Sequence, residues 1–137
     1  MGERIYISGK IGEEVISEAT RQKFAEAEKM LEERGFEPIN ITSDGIQRSM
    51  EVSFRWRELK PNYEDILLYG LNWLRTCTAI YMLPDFIDSP GAKAEHAFAI
   101  ATGKHIYYDD ELYRDGTLRG KGFAKNRLPE KANDEEA

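Results

Sequence analysis

The sequence has few residues of the kinds that form disulfides or metal sites. It contains one cysteine, Cys77, and two histidines, His96 and His105, among 137 residues. A single cysteine excludes an internal disulfide framework and a multi-cysteine zinc site. The two histidines do not form a metal-binding spacing with carboxylates. We therefore expect no metal and no resident cofactor.

Long apolar runs are also missing. No segment approaches the ~18 apolar residues of a transmembrane helix, and the opening residues MGERIYISGK lack the apolar stretch and cleavage site of a signal peptide. We therefore expect a cytoplasmic protein that has no membrane partner. The chain is 41% hydrophobic and 32% charged, which is typical of a globular protein.

The chain has no excess of basic residues. It carries 19 lysines and arginines against 25 aspartates and glutamates, a formal net charge of −6. Because proteins bind nucleic-acid polymers mainly by neutralising many phosphates, we expect no such partner, although a single small anion stays compatible with this charge. We predict one domain over residues 1–127, with a basic extension after about residue 108, and a disordered acidic tail over residues 128–137.

The sequence does contain an alternation of strand-like and helix-like segments. The predicted strands are residues 4–8, 36–41, 79–83 and 104–108, and the predicted helices are residues 17–34, 61–76 and 90–102. Residues 42–60 show no clear period and predict a loop or a short helix. Pro38 predicts an edge position for the second strand. This order predicts an α/β fold, a three-layer, mainly parallel open sheet of the flavodoxin-like or Rossmann-like type.

Two loops of this fold could bind a ligand, because open parallel sheets bind ligands beyond the carboxyl ends of their strands. The loop after the first strand offers a hydroxyl, a glycine and a cation. The loop after the third strand ends at a serine that can cap the next helix, whose first backbone amides are well suited to an anion. The residues that we expect to bind substrate here are Ser8, Gly9, Lys10, Ser89, Gly91 and Ala92.

Glu95 is the candidate catalytic carboxylate. It lies about a turn and a half inside the predicted helix of residues 90–102, which is rich in alanine. Small residues allow a helix to lie close to a sheet, so a carboxylate near its start can face the cleft. The alternative is a solvated glutamate near the favourable end of the helix dipole. The sequence pattern alone leaves both interpretations open.

Two segments of the chain resemble a known enzyme superfamily. IYISGKI near the start and CTAIYMLPDFIDSPGAKAEHAFAIATGKHI further on resemble nucleoside 2-deoxyribosyltransferases and the related 2′-deoxynucleoside 5′-monophosphate N-glycosidases, over about residues 4–108. The resemblance implies that Glu95 is the nucleophile that attacks C1′ of deoxyribose and that Tyr6 orients it. The transferases tend to carry aspartate at the position of Ser89 and the monophosphate hydrolases serine, which implies that Ser89 binds a 5′-phosphate.

The same resemblance implies a partner and an assembly. The partner is a small nucleoside or nucleotide, and the protein is a homodimer or a higher homo-oligomer in which a neighbouring chain completes the site. We therefore expect cleavage or transfer at the N-glycosidic bond of a deoxyribonucleoside or its 5′-monophosphate through a covalent glycosyl-Glu95 intermediate. The alternative is a non-catalytic nucleotide-binding or sensing module on the same fold. A flavin protein is disfavoured, because the first loop lacks a Ser/Thr-rich phosphate loop.

The sequence departs from the superfamily pattern at two acidic positions. Thr78 stands where relatives carry an aspartate, and Gly70 stands where they carry the aspartate that helps to protonate the departing base. Base departure needs a general acid. Asp65, Asp85, Asp88 or a residue of another subunit could replace it, and we expect Asp85, on the cleft loop, to be the catalytic acid.

Trp56 is the last candidate for substrate binding. It lies in a segment that mixes aromatic and basic residues, Phe54 to Arg57. In the resembling families this region contributes to base recognition, and an aromatic side chain could stack on a base. The same side chain could instead seal a subunit interface, and the sequence does not separate the two roles.

Overall fold

The computed structural model describes residues 2–12, 15–56, 61–114 and 128. The strands are β1 (Arg4–Ser8), β2 (Glu37–Ile39), β3 (Ala79–Met82) and β4 (His105–Tyr108). The α-helices are α1 (Glu18–Glu33), α2 (Asp44–Trp56), α3 (Tyr63–Arg75), α4 (Pro90–Ala101) and α5 (Asp110–Arg114), and a short 3₁₀ helix spans Pro84–Asp88. No helix in these ranges is long and apolar enough to cross a membrane.

The four strands form one sheet in the order β2-β1-β3-β4, and every pairing is parallel. All residues of β3 are buried, as expected for a continuous apolar strand in the middle of a parallel sheet. β2, which contains Pro38, lies at an edge, as the proline predicts. The predicted α/β fold with an open parallel sheet of the Rossmann-like type is confirmed.

The two faces of the sheet are covered by different helices. One apolar cluster joins Ile5 and Ile7 of β1 to Phe24 and Leu31 of α1. The cluster on the other face contains Tyr6 of β1 together with buried residues of α3, α4 and α5. Because successive side chains of a strand point to opposite faces, β1 sends its isoleucines towards α1, and Tyr6 and Ser8 towards α3 and α4.

The helix starts and stops follow local signals. Ser17 caps α1, its Oγ accepting from the Thr20 backbone N–H at 3.2 Å, and Gly35 adopts a positive φ of 93° just after the helix. α3 begins two residues later than predicted, because Asn62 and Asp65 form a capping box that starts the helix at Tyr63.

The prediction for residues 42–60 was wrong in part. Instead of a loop or a short helix, α2 extends over 13 residues. Ser43 and Gly45 weaken the helical pattern in the sequence, but packing of the buried Phe54 and the partly buried Ile46 against the rest of the molecule holds the helix. The short helix α5 was not predicted. Of the predicted basic extension after about residue 108, residues 115–127 lie outside the described residues, and so does the acidic tail apart from Leu128.

The two-sided burial of the central strands predicts where stability resides. Ile80 in β3 is 0% exposed and Ile100 on α4 is 54% exposed. We expect Ile80→Ala to lower the free energy of unfolding by about 2–5 kcal/mol, because it removes buried methyl groups and leaves a cavity. We expect Ile100→Ala to change it by less than about 1 kcal/mol. Urea denaturation of both variants checks this, and equal losses would contradict the buried position of β3.

Candidate active site

The centre of the site is the carboxylate of Glu95, which is only 8% exposed. Tyr6 Oη donates a hydrogen bond to Glu95 Oε2 at 2.7 Å, and Ser8 Oγ donates one to Glu95 Oε1 at 2.6 Å. Each carboxylate oxygen therefore has a short hydroxyl donor of its own. Both donors come from the same face of β1, two residues apart, so the strand fixes the position of the carboxylate.

The start of α4 places Glu95 opposite β1. Ser89 caps the helix, its Oγ accepting from the Ala92 backbone N–H at 3.1 Å, and Pro90 occupies the first helical position. Ala92 and Ala99 are buried against the sheet, and their small side chains allow the helix axis to come close. A glutamate on this face therefore reaches the hydroxyls of β1.

Gly70 allows α3 to cover this hydrogen-bonded pair. A Cβ atom at Gly70 would stand 2.9 Å from Glu95 Oε2 and 2.9 Å from Tyr6 Oη. A carbon side chain does not fit at that separation unless the carboxylate and the phenol move. The backbone of α3 itself therefore contacts the site at this position.

Burial raises the pKa of both Glu95 and Tyr6. Burial raises the pKa of Glu95 from 4.5 to about 7, while the hydrogen bonds from Ser8 and Tyr6 act in the opposite direction. Burial and the neighbouring carboxylate raise the pKa of Tyr6 well above its ordinary value, so Tyr6 stays a donor at neutral pH. The folded protein therefore holds the proton of Glu95 more tightly than the unfolded chain does. The stabilisation that this proton gives is fully present below about pH 4.5 and is lost as the pH rises to about 7.

Glu95 lines a cavity of about 550 Å³ at the carboxyl edge of the sheet, a volume within the ~300–1,000 Å³ range of small-molecule pockets. Within the described ranges, Glu95 is the only charged side chain in the lining. The apolar part of the wall includes Ile7, Ile11, Phe24, Ile41, Ile66 and Leu67, and the polar part includes Asn62, Tyr63 and Ser89. The cavity therefore offers one ionisable carboxylate in mainly apolar surroundings.

The structure brings most of the predicted site residues together. Glu95, Tyr6, Gly9, Ser89, Gly91 and Ala92 all line the cavity. Ser8 is also at the site, but its hydroxyl is turned to Glu95. This contact with the carboxylate was not predicted, and the role of Ser8 in substrate binding stays a prediction.

Besides Ser8, three predicted residues do not line the cavity: Asp85, Lys10 and Trp56. Asp85 Oδ2 pairs with Lys23 Nζ at 2.5 Å, and Asp85 Oδ1 accepts from the Lys10 backbone N–H at 3.0 Å. Both carboxylate oxygens of Asp85 therefore already have partners, Lys23 and the backbone of Lys10, and these residues lie beside the cavity. Trp56 is 86% exposed at the end of α2.

Asp65, Asp88 and Thr78 lie outside the lining of the cavity. Asp65 accepts from the Asn62 backbone N–H at 3.0 Å and serves to cap α3. Asp88 is exposed at the end of the 3₁₀ helix. Thr78 precedes β3, at the amino end of the sheet, and its hydroxyl donates to Glu3 at 2.8 Å. None of these three side chains belongs to the described lining of the cavity.

Asn62 and Tyr63 also line the cavity, and neither was among the predicted site residues. Tyr63 Oη lies 2.5 Å from where a Cβ of Gly91 would stand, so the glycine leaves room for this hydroxyl at the start of α4. The signal was available, because a helix that precedes a strand of a parallel sheet begins near the carboxyl edge. Within the described ranges, no group of three or more His, Cys, Asp or Glu side chains could hold a metal ion.

The tight contact at Gly70 generates a stability prediction. Overpacking costs typically ~1–3 kcal/mol, while alanine in place of glycine inside a helix returns ~0.5–1 kcal/mol. We expect Gly70→Ala to lower the free energy of unfolding by about 1–2 kcal/mol, because Glu95 and Tyr6 are buried and hydrogen-bonded and have little room to move. The matched control is Gly45→Ala in α2, where a Cβ meets nothing within 4 Å. We expect that variant to be unchanged or more stable in urea denaturation, and equal behaviour of the two variants would contradict the contact.

Comparison with known proteins adds a family but no activity. No curated protein and no solved structure matches the chain. The model of one family, described as a domain of unknown function (DUF4406), matches residues 3–108. That span contains all the described elements from β1 to β4 and the residues around Glu95. The chain therefore belongs to the DUF4406 family.

Proposed function

We propose that the protein cleaves or transfers the N-glycosidic bond of a deoxyribonucleoside or its 5′-monophosphate, with Glu95 as the nucleophile. The observation that supports this proposal most is the environment of the Glu95 carboxylate. This carboxylate is buried, each of its oxygens is held by a hydroxyl of β1, and it lines a cavity large enough for a nucleoside. A carboxylate in such a place costs stability when it ionises, which favours a role in chemistry or binding over one in folding.

The proposed reaction has two steps. A carboxylate oxygen of Glu95 forms a bond to C1′ while the bond from C1′ to the base nitrogen breaks, which gives a covalent glycosyl-enzyme. Water or a second base then attacks C1′ from the side that the first base left, and the carboxylate departs with overall retention of configuration. Tyr6 and Ser8 hold the carboxylate in one rotamer, so it reaches C1′ in a productive orientation.

The start of α4 is the proposed binding place for the 5′ end of the sugar. Ser89 Oγ accepts from Ala92, which leaves the hydroxyl proton of Ser89 to donate to a ligand. The backbone N–H of Gly91 lies in the first turn and has no intrahelical acceptor. Tyr63 Oη lies against Gly91. These donors suit a 5′-phosphate, and a neutral serine does not repel a dianion as an aspartate would.

A second candidate function is nucleotide binding without catalysis. The observation that favours it is Gly70, whose backbone contacts the site at the position where the resembling superfamily places its acid. A protein that lost this acid could keep the cavity and its hydrogen-bond donors. In that case a nucleotide would bind, but the base would stay attached.

Replacement of the nucleophile separates the two candidates. With deoxynucleosides and their 5′-monophosphates as substrates, we expect Glu95→Gln to lower base release by ~10³-fold or more, since it removes the attacking oxygen anion and keeps the side-chain shape. We also expect the wild-type rate to rise with pH around a midpoint of about 7, because only ionised Glu95 attacks. Chromatography of the free base measures both effects. Ligand-induced thermal shifts without any base release over hours would contradict catalysis and favour the binding module.

The phosphate assignment has its own test at Ser89. We expect Ser89→Asp to weaken the binding of a deoxynucleoside 5′-monophosphate at least ~10-fold more than that of the deoxynucleoside, because the new carboxylate repels the phosphate. Ser89→Gly, which keeps an acceptable helix cap, is the uncharged control. Calorimetric titration of each variant with both ligands measures the difference. Equal losses for both ligands would contradict phosphate binding at this helix.

A further inference from the structure

The state of the departing base is the open chemical question of the proposed reaction. When the bond from C1′ to a neutral base breaks, its electron pair goes to the ring nitrogen, and the base leaves as an anion unless an acid protonates it. A positioned general acid contributes roughly 10²–10⁴-fold to such a step. The fate of that proton therefore decides which bases this site can release.

Among the residues that the structure describes, those considered for supplying the proton have other contacts. Position 70 is a glycine whose backbone lies against Glu95 and Tyr6. Asp85 is paired with Lys23 and with the backbone of Lys10, beside the cavity. Tyr6 already donates its proton to Glu95. The nearest carboxyl, Glu95, must be ionised to act as nucleophile, so it cannot protonate the base in the same step.

The charge of the cavity favours a ligand that is positively charged. Ionised Glu95 places one negative charge in a wall that is otherwise neutral over the described residues. Burial disfavours that charge, and a cation bound beside the carboxylate would compensate for it. A ligand with one positive charge near C1′ would thus complement the site, whereas a neutral ligand would leave the buried carboxylate uncompensated.

We propose, as an extension that rests on the proposed function, that the substrate is an N-glycoside whose base is already cationic. Two chemical classes meet this description: N-glycosides of pyridinium rings and N-glycosides of purines alkylated on a ring nitrogen. In both, the ring nitrogen bonded to C1′, or the ring conjugated with it, carries a positive charge. The absence of a side chain at Gly70 is then compatible with catalysis, because such a base leaves without a proton.

The step balances without an external acid. A Glu95 oxygen donates an electron pair to C1′, the bond between C1′ and the ring nitrogen breaks, and its electron pair neutralises the cationic ring. The base leaves as a neutral molecule. Water then attacks C1′, the bond from C1′ to the Glu95 oxygen breaks, the carboxylate is restored and one proton passes to the solvent. The sum is hydrolysis of a cationic glycoside to a sugar, a neutral base and a proton.

A matched pair of substrates tests this extension. 7-Methyl-2′-deoxyguanosine and 2′-deoxyguanosine share the sugar and the ring system, but only the first has a cationic base. We expect wild-type protein to release base from the methylated compound at least ~100-fold faster than from 2′-deoxyguanosine, after subtraction of the rate with Glu95→Gln. The subtraction removes spontaneous cleavage of the methylated compound. The same pair is measured as 5′-monophosphates.

The pH dependence gives a second measurement. With nicotinamide 2′-deoxyriboside as substrate, base release above that of Glu95→Gln is measured from about pH 6 to about pH 8.5. We expect this rate to rise around a midpoint of about 7 and then to stay level up to the alkaline end of the range. A required general acid would instead produce a descending limb on the alkaline side. A bell-shaped profile would therefore overturn the extension, whatever the absolute rate.

The outcomes separate the extension from the proposed function. Release from the methylated compound at a rate ~100-fold or more above that from 2′-deoxyguanosine, lost in Glu95→Gln, supports both. Comparable rates for the two compounds, or release from 2′-deoxyguanosine alone, overturn the extension and leave the proposed function standing. No Glu95-dependent release from any of the compounds overturns both.

Discussion

The burial of one carboxylate between a strand and two helices is the constraint on which the rest of the site depends. Glu95 is removed from water and keeps its place because two hydroxyls of β1 donate to its two oxygens. An unpaired carboxylate in such surroundings would be strongly destabilising. The alternation of β1, the small residues of α4 and the glycine of α3 all serve this arrangement. Each of them brings a backbone or a donor within reach of the same group.

This arrangement has a chemical consequence. Burial raises the pKa of Glu95 to about 7, and the hydrogen bonds from the two neutral hydroxyls, which act in the opposite direction, do not cancel that rise. Glu95 therefore changes its charge near neutral pH. A ligand that carries a positive charge would shift the carboxyl group towards its ionised form. The backbone of Gly70 lies against the carboxylate and brings no proton donor to it. Among the described residues the proposed nucleophile has no partner acid, which is coherent with a base that leaves unaided or with a site that binds and does not react.

The sequence predicted the architecture and most of the residues around Glu95. β3 was visible as a continuous apolar run, and Ser89 and Pro90 marked the start of α4 by capping chemistry that acts over three residues. Asp85 shows where this reasoning failed to foresee the arrangement. Its partner Lys23 is 62 residues away in the chain, and nothing in the loop sequence indicates an ion pair at that separation. The length of α2 was not predicted for a similar reason. Its first turn is rich in weak helix formers, and the helix is held by packing against residues that are distant in the sequence.

The amino-acid sequence by itself determined the order of strands and helices, the caps, and the position of one carboxylate near a helix start, because these follow from periodicity and from bonds between near neighbours. Only the tertiary structure decided what surrounds that carboxylate. Ser8 donates a hydrogen bond to Glu95, Asp85 is engaged by a lysine of α1, and α3 closes over the site at Gly70. These contacts join residues 60 to 90 positions apart or lie between separate helices. Which side chains meet there is settled by the packing of layers across the sheet and not by any local pattern.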